Sequence, residues 1–210
     1  TSTIATALDN GATKIIPIDN VEKCINYKSI LPECITAGER DGKVAPGLEY
    51  GNSPFEYAPD FIKDKTLVLT TTNGTKLLHM VAEADTIITG AFLNIDAVCQ
   101  YLIQKGKKVL LACAAWKDRV NMEDSLFAGA VVNQVSEHFE IKCDSANMTA
   151  AFHTQAMQYP TLLDALKNSN HYARLMGFGL EKDLAYCTTP NLHPVVPIYD
   201  GEALLPYYND

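Results

Sequence analysis

Four short stretches of this chain combine residue types that could do chemistry. Thr70-Thr71-Thr72-Asn73-Gly74-Thr75 follows a Val- and Leu-rich run and leads into an amphipathic one. A glycine at such a turn lets backbone approach a ligand closely. The first helical N–H groups and the threonine hydroxyls then aim donors at one spot, which is the chemistry of an oxyanion site. No Walker lysine or Gly-x-Gly-x-x-Gly pattern accompanies the turn, so taken alone it reads as a hydroxyl cap. Ala37-Gly38-Glu39-Arg40 brings a carboxylate and a guanidinium out together just past a predicted strand. An isolated pair of this kind would be a surface ion pair, and its place at the carboxyl end of a strand turns the reading toward a site. Gly51-Asn52-Ser53-Pro54 ends an irregular loop with two small polar side chains suited to phosphate oxygens. Trp116 and Glu123-Asp124-Ser125 follow a further apolar run, the two acids falling in the first turn of a predicted helix, where the helix dipole favours them whether or not they bind anything. Mg²⁺ is typically held by one or two carboxylates, waters and substrate phosphate oxygens, and Glu39 with Asp124 could supply those carboxylates.

Other chemistries lack their residues. His79, His138, His153, His171 and His193 have no metal-ligand spacing, which argues against zinc. His171 and Arg174 share one helical face and read as a surface pair in preference to a substrate clamp. A serine-hydrolase elbow is missing, as is the Asp-x-Asp-x-Thr pattern of haloacid dehalogenase phosphatases. The six cysteines show no Cys-x-x-Cys spacing and several sit in apolar runs such as 109–113, so buried free thiols are expected in a reducing, cytoplasmic setting.

The elements that must carry these residues alternate. A helix opens the chain over 2–8, its apolar face and Asn10-Gly11 stop suiting the second element of a strand-turn-helix unit, so a strand is expected upstream of it. Strands are predicted over 14–18, 34–37, 67–70, 86–89 and 108–114, and helices over 21–30, 75–84, 95–104 and 122–139. Parallel crossovers need a dozen or more residues, which these helices supply. The expected fold is therefore α/β, an open, mostly parallel sheet with helices on both faces. In such sheets ligands bind beyond the carboxyl ends of the strands. The Gly- and Pro-rich run 41–65 is expected to be an ordered loop packed over the sheet through Tyr50, Phe55, Tyr57 and Phe61. The part after 145 should be mainly helical, closed by one extended segment at 194–198. One domain over 1–210 is expected, with a small helical lobe over 145–210.

A formal net charge of −8 argues against nucleic acid and anionic membrane as partners. The sequence lacks any apolar stretch of the length needed to span a bilayer. A small anionic ligand must be caught locally, and a homodimer suits an acidic enzyme of this class.

In order along the chain, 1–8, 37–40, 51–54, 71–75, Leu93-Asn94, Glu123-Asp124 and Ala128-Gly129, with a tail similar over 171–175 and at Val196-Pro197, resemble the 2-phosphosulfolactate phosphatase family. Each motif is weak alone, and their order over nearly the whole chain is specific. The resemblance implies a Mg²⁺-dependent hydrolase releasing phosphate from (R)-2-phospho-3-sulfolactate, a step serving coenzyme M synthesis in methanogens. It implies that Thr71, Thr72, Asn73, Gly74 and Thr75 cradle one acidic group, assisted by Asn52 and Ser53. Thr1, Ser2, Thr3, Arg40, Asn94 and Trp116 complete the substrate-binding set. Glu39, Glu123 and Asp124 become the catalytic carboxylates, with Glu39 and Asp124 for the metal or for positioning water. The family's pattern also carries an aspartate and an arginine in a strand just before the segment matching Thr1-Ser2-Thr3. Metal-activated water is the expected nucleophile, with an aspartyl-phosphate route through that upstream aspartate as the rival. A non-catalytic module binding a phosphate- or sulfonate-bearing molecule is the alternative, as is a phosphatase of another small acidic phosphoester. A dehydrogenase is disfavoured by the lack of a glycine-rich fingerprint.

Overall fold

The computed structural model describes residues 1–40, 42–116 and 119–209, and divides into two compact units. The first unit is Thr1–Gly90 with His193–Asp210, and the second is Ala91–Leu192.

The first unit is built on a seven-stranded mixed sheet. Its strands are β1 (Lys14–Ile18), β2 (Ile35–Arg40), β3 (Lys43–Val44), β4 (Thr66–Thr70), β5 (Ile87–Ile88), β6 (Val195–Tyr199) and β7 (Leu204–Tyr208). The order is β3-β2-β4-β1-β7-β6-β5. At its centre β2, β4 and β1 are parallel, with Ile15 opposite Leu67 and Ala37 opposite Leu69. The flanking pairs are antiparallel. The α/β architecture thus holds, with its parallel part confined to the sheet's core.

Period-two alternation along β1 and β4 decides which helix covers which face. Ile15, Leu67 and Leu69 pack with Ile4 and Leu8 of α1 (Ser2–Asp9), and with Tyr57 and Ile62 from the loop. Ile16 and Val68, one residue on, point to the other face and pack with Cys24 of α2 (Val21–Asn26). Leu8, Ile15, Leu67, Val68 and Leu204 are all fully enclosed. Burying each such side chain contributes about 1.5–3 kcal/mol, so this two-sided core fixes the strand ends on which site residues sit.

The loop after β2 is ordered as expected. It holds a 3₁₀ turn (Pro54–Glu56) and the short α3 (Pro59–Ile62), and buried Tyr57 donates its hydroxyl to the Gly51 carbonyl at 2.6 Å. Phe55 departs from the expectation: it is 55% exposed, because the 3₁₀ turn points it away from the core that Tyr57 fills. The helix α4 (Gly74–Met80) follows β4.

The second unit is helical. It comprises α5 (Ile95–Lys105), α6 (Met122–Val135), α7 (Asp144–Ala156), α8 (Leu162–Leu166), α9 (Asn170–Gly177) and α10 (Glu181–Cys187). Leu126, Val131, Cys99, Leu166 and Ala156 form its core, with Phe92 edge-on to Phe127 at 5.5 Å. At Gly129 a Cβ would lie 1.9 Å from the Thr149 carbonyl oxygen, so only glycine allows α6 and α7 to approach this closely.

Three expectations are corrected. The run 108–114 forms no strand: Val109 and Leu110 are exposed, Leu110 by 83%, and Cys113 is exposed rather than buried. A strand needs a ladder to join, and the described residues of this unit contain none. The tail forms two strands, not one extended segment. Glu39 and Arg40 are the last residues of β2, not a loop beyond it, because β3 folds back to pair with them. Among the described residues no cysteine is in a disulfide. No helix among the described residues is long and apolar enough to cross a membrane.

Candidate active site

The residues singled out for chemistry divide between the two units. In the first unit, the ends of β2 and β4 bring together Glu39, Arg40 and the 70–75 turn. Gly38 makes this possible, since a Cβ there would fall 2.4 Å from the Thr70 carbonyl oxygen. Glu39 Oε1 accepts from the Thr72 hydroxyl at 3.1 Å, and Oε2 accepts from the Gly42 N–H at 3.2 Å. Arg40 donates through Nη2 to the buried Thr70 hydroxyl at 3.3 Å, and through Nη1 to the Glu39 carbonyl at 2.6 Å. The guanidinium is therefore held beside the turn rather than left free on the surface.

Within the turn, Thr71 Oγ1 accepts from the Thr75 N–H at 3.2 Å and Thr75 Oγ1 donates to the Thr71 carbonyl at 2.9 Å. These bonds cap the start of α4: the Thr75 hydroxyl proton is used there, whereas the Thr71 hydroxyl serves the helix end as an acceptor. Asn73 occupies the N-cap position without a side-chain cap bond, and Gly74 begins the helix. The Asn52 carbonyl accepts from the Thr3 hydroxyl, tying the loop to α1, whose first turn begins with the Thr1 carbonyl accepting from the Ala5 N–H at 3.0 Å. Ser2 is the first residue of that helix. Ser53 is positioned through its N–H, which donates to Glu56 Oε2 at 3.3 Å, while the Gly51 N–H donates to Oε1 at 3.2 Å. Glu56, which sequence reasoning passed over, thus organises this loop.

In the second unit the start of α6 is the focus. Asn121 caps the helix by accepting from the Glu123 N–H at 2.9 Å. Asp124 Oδ2 accepts from the Ala115 N–H at 2.9 Å. Ala115 has φ +61, a left-handed conformation that costs a non-glycine residue about 1–3 kcal/mol and is held here against that cost. Burial pushes the Asp124 carboxyl above the usual carboxylate range; the Ala115 N–H opposes the shift, and the neighbouring Glu123 charge adds to it. Glu123 Oε2 pairs with His171 Nδ1, and Asn121 Nδ2 lies 3.5 Å from the same ring nitrogen. The Arg174 guanidinium stacks over Trp116 at 4.8 Å. Asn94 is 1% exposed, and its Oδ1 accepts from the Ala91 N–H at 2.8 Å, which shapes the turn before α5.

Among the described residues no group of three or more His, Cys, Asp or Glu side chains is gathered as a metal cage. Taken each within its own unit, Glu39 accepts from two neutral donors and keeps lone pairs, and Asp124 is a largely desolvated carboxyl. Carboxylate oxygens of this kind are the ligands that Mg²⁺ takes beside waters, whereas zinc favours nitrogen and sulfur.

Residues 1–202 match the family model of 2-phosphosulpholactate phosphatase. The chain belongs to that family. The 2-phosphosulpholactate phosphatases are phosphoric monoester hydrolases, and relatives of this chain carry the same description. It is 38% identical over 197 residues to a probable 2-phosphosulfolactate phosphatase of Thermotoga petrophila, covering 94% of this chain and 83% of the relative. It is 34% identical over 199 residues to one from Caldanaerobacter subterraneus subsp. tengcongensis, covering 94% and 82%. With the Clostridium acetobutylicum relative the identity is 34% over 209 residues, covering 97% and 87%. In this member of the 2-phosphosulpholactate phosphatase family, His171 and Arg174 belong with Glu123 and Trp116 rather than on a bare surface. The signal available in sequence was their one-turn spacing, and what they meet lies about fifty residues away.

Proposed function

We propose that this chain is a Mg²⁺-dependent phosphatase that hydrolyses (R)-2-phospho-3-sulfolactate to 3-sulfolactate and phosphate. The match of residues 1–202 to the family carries this reading. Hydrolysis breaks the bond between phosphorus and the substrate's C2 oxygen and forms one between phosphorus and a water oxygen. A proton from that water ends on the departing oxygen. The chain's own residues divide the remaining work. Arg40, held at the end of β2, supplies positive charge beside the Thr71–Thr75 turn, where the Asn73 side-chain amide could donate to an oxyanion. Glu39 in the first unit and Asp124 in the second are each candidates for the carboxylate that holds Mg²⁺ or orients water. The metal, when bound, neutralises phosphate oxygens and acidifies water. Free thiols accord with a cytoplasmic setting.

The test is phosphate release from phosphosulfolactate with Mg²⁺ and with a chelator, in the parent chain and in Glu39→Gln and Asp124→Asn. The expected result is release that needs Mg²⁺ and falls by about a hundredfold or more in each variant. Parental rates in both variants would remove these carboxylates from the site. Binding of phosphosulfolactate without any release of phosphate would make the chain a binding module.

A further inference from the structure

A guanidinium that serves only to support a fold usually spends its donors on carbonyls or carboxylates. Arg174 does not. Its plane lies over the Trp116 indole, with Cζ 4.8 Å from the ring centroid, and its Nε is enclosed without a hydrogen-bond partner among the described residues. An enclosed donor left unpaired costs about 1–3 kcal/mol, so among the described residues Nε is not held there by hydrogen bonds of the fold. One turn earlier on α9, His171 is paired to Glu123, so the opposing carboxylate's charge is shared with a ring nitrogen. Glu123 Oε1, too, is enclosed and unpartnered among the described residues. Two unpaired polar atoms of opposite kind therefore sit in one small cluster formed by α9, Trp116 and the start of α6.

We propose that Arg174, stacked on Trp116, is an oxyanion-binding residue of the second unit, taking a sulfonate or carboxylate of the kind the substrate carries. This rests on the phosphatase reading for the identity of the substrate. Stacking fixes the guanidinium plane, so the fork of N–H groups meets an oxyanion in one orientation with little further ordering. In a chain of net charge −8, a small anion needs such a local cation to be held at all. Lysine would keep the charge and lose both the stack and the fork, which makes Arg174→Lys the informative change.

Trp116 is the sequence's only tryptophan, so intrinsic emission reports this spot directly. The experiment titrates the whole chain without Mg²⁺ with 3-sulfolactate, which bears both oxyanions and no phosphate, and with sulfate. In the parent a saturable emission change with 3-sulfolactate is expected, at a concentration about tenfold below that for sulfate. Arg174→Lys should weaken it about tenfold or more at an unchanged melting temperature, with Arg174→Gln as second variant should the first not fold. No saturable change in the parent, or equal affinity in the variants, overturns the clamp even if the chain releases phosphate. An Arg174-dependent signal in a chain that releases no phosphate keeps the clamp and removes the phosphatase reading instead.

Discussion

Replacing Gly38 by alanine tests whether the β2–β4 junction is what holds Glu39 and Arg40 in place. Gly38 pairs with Thr70 in the parallel ladder, its N–H donates to the Tyr50 carbonyl at 3.0 Å and its carbonyl accepts from the Ala45 N–H at 3.1 Å. A Cβ would stand 2.4 Å from the Thr70 oxygen and 2.6 Å from its methyl group, against a floor of 3.0 Å for real contacts. Backbone, not a flexible side-chain tip, must therefore give by at least 0.6 Å, the difference between 3.0 and 2.4 Å. Overpacking of this sort costs about 1–3 kcal/mol, and loss of one neighbouring ladder bond adds about 0.5–1.5 kcal/mol, so a destabilisation of about 2–4 kcal/mol is expected. With an m value of about 2 kcal/mol/M in urea, the midpoint of the first unit's unfolding, followed by far-UV circular dichroism, should drop by about 1–2 M. Phosphate release should fall with it, because β2 carries both charged residues. Gly177→Ala is the control: nothing lies within 4 Å of its added Cβ, and the position ends α9. There alanine should stabilise by about 0.4–1 kcal/mol. A Gly38→Ala midpoint equal to the parent's, or a fall just as large in Gly177→Ala, would refute the reasoning.

Asp124→Asn should separate function from stability. The folded carboxyl titrates above its unfolded value, so its contribution to stability is full below about pH 4 and is lost as pH rises through the raised folded value. Asparagine carries no charge to bury, so urea midpoints at pH 7 should equal or exceed the parent's, the gap closing toward pH 4. A clear loss of stability at pH 7 would mean the ionised group is favourably paired. Thiol labelling at neutral pH should mark Cys143 first, since it is exposed and the Ala146 N–H, with the Ser145 hydroxyl and N–H, holds its thiol below the usual range. Cys24 and Cys99, pushed up to about 11 and about 12 by burial, should react only on unfolding. Mass spectrometry of partly labelled chain decides the order. Asp9→Ala should cost about 1–3 kcal/mol by calorimetry, because it strips the 2.8 Å partner from buried His193 and the 3.2 Å acceptor from Tyr208. The Tyr208 phenol, raised by burial and by Asp9, should titrate lower in that variant.

The sheet's centre was legible because its strands are buried on both faces and read as short apolar runs. The predicted strand over 14–18 coincides with β1, and Ile15 and Ile16 point to opposite cores as alternation requires. The run 108–114 has the same composition and forms no strand, since a local pattern cannot say whether a ladder partner exists. The tail hairpin did have a sequence signal, Asp200-Gly201 between two apolar runs. The Asp200 carboxylate accepts from the Glu202 and Ala203 N–H groups at 2.9 and 2.7 Å, and Gly201 has φ +103. That turn sends β7 antiparallel beside β1, which is why the sheet is mixed rather than mostly parallel at its flanks.

The placement of the candidate residues was legible to the extent that they are neighbours in sequence at strand and helix ends. Glu39-Arg40 and Glu123-Asp124 are such neighbours, and they lie where the element boundaries put them. What a local pattern could not carry is the use each hydroxyl or charge is put to. Thr71 and Thr75 spend their hydroxyls on each other across the first turn of α4, as a plain cap does, whereas the identical group on Thr72 crosses to Glu39. His171 and Arg174 repeat at a helical spacing that fits any solvated face, and only the fold of the second unit turns that face toward Glu123 and Trp116. The unpaired Nε and Oε1 atoms there are the opposite of what a face selected for solvation would keep, since water would satisfy both. Each enclosed atom left without a partner costs about 1–3 kcal/mol, a cost that the packing of the second unit has to offset.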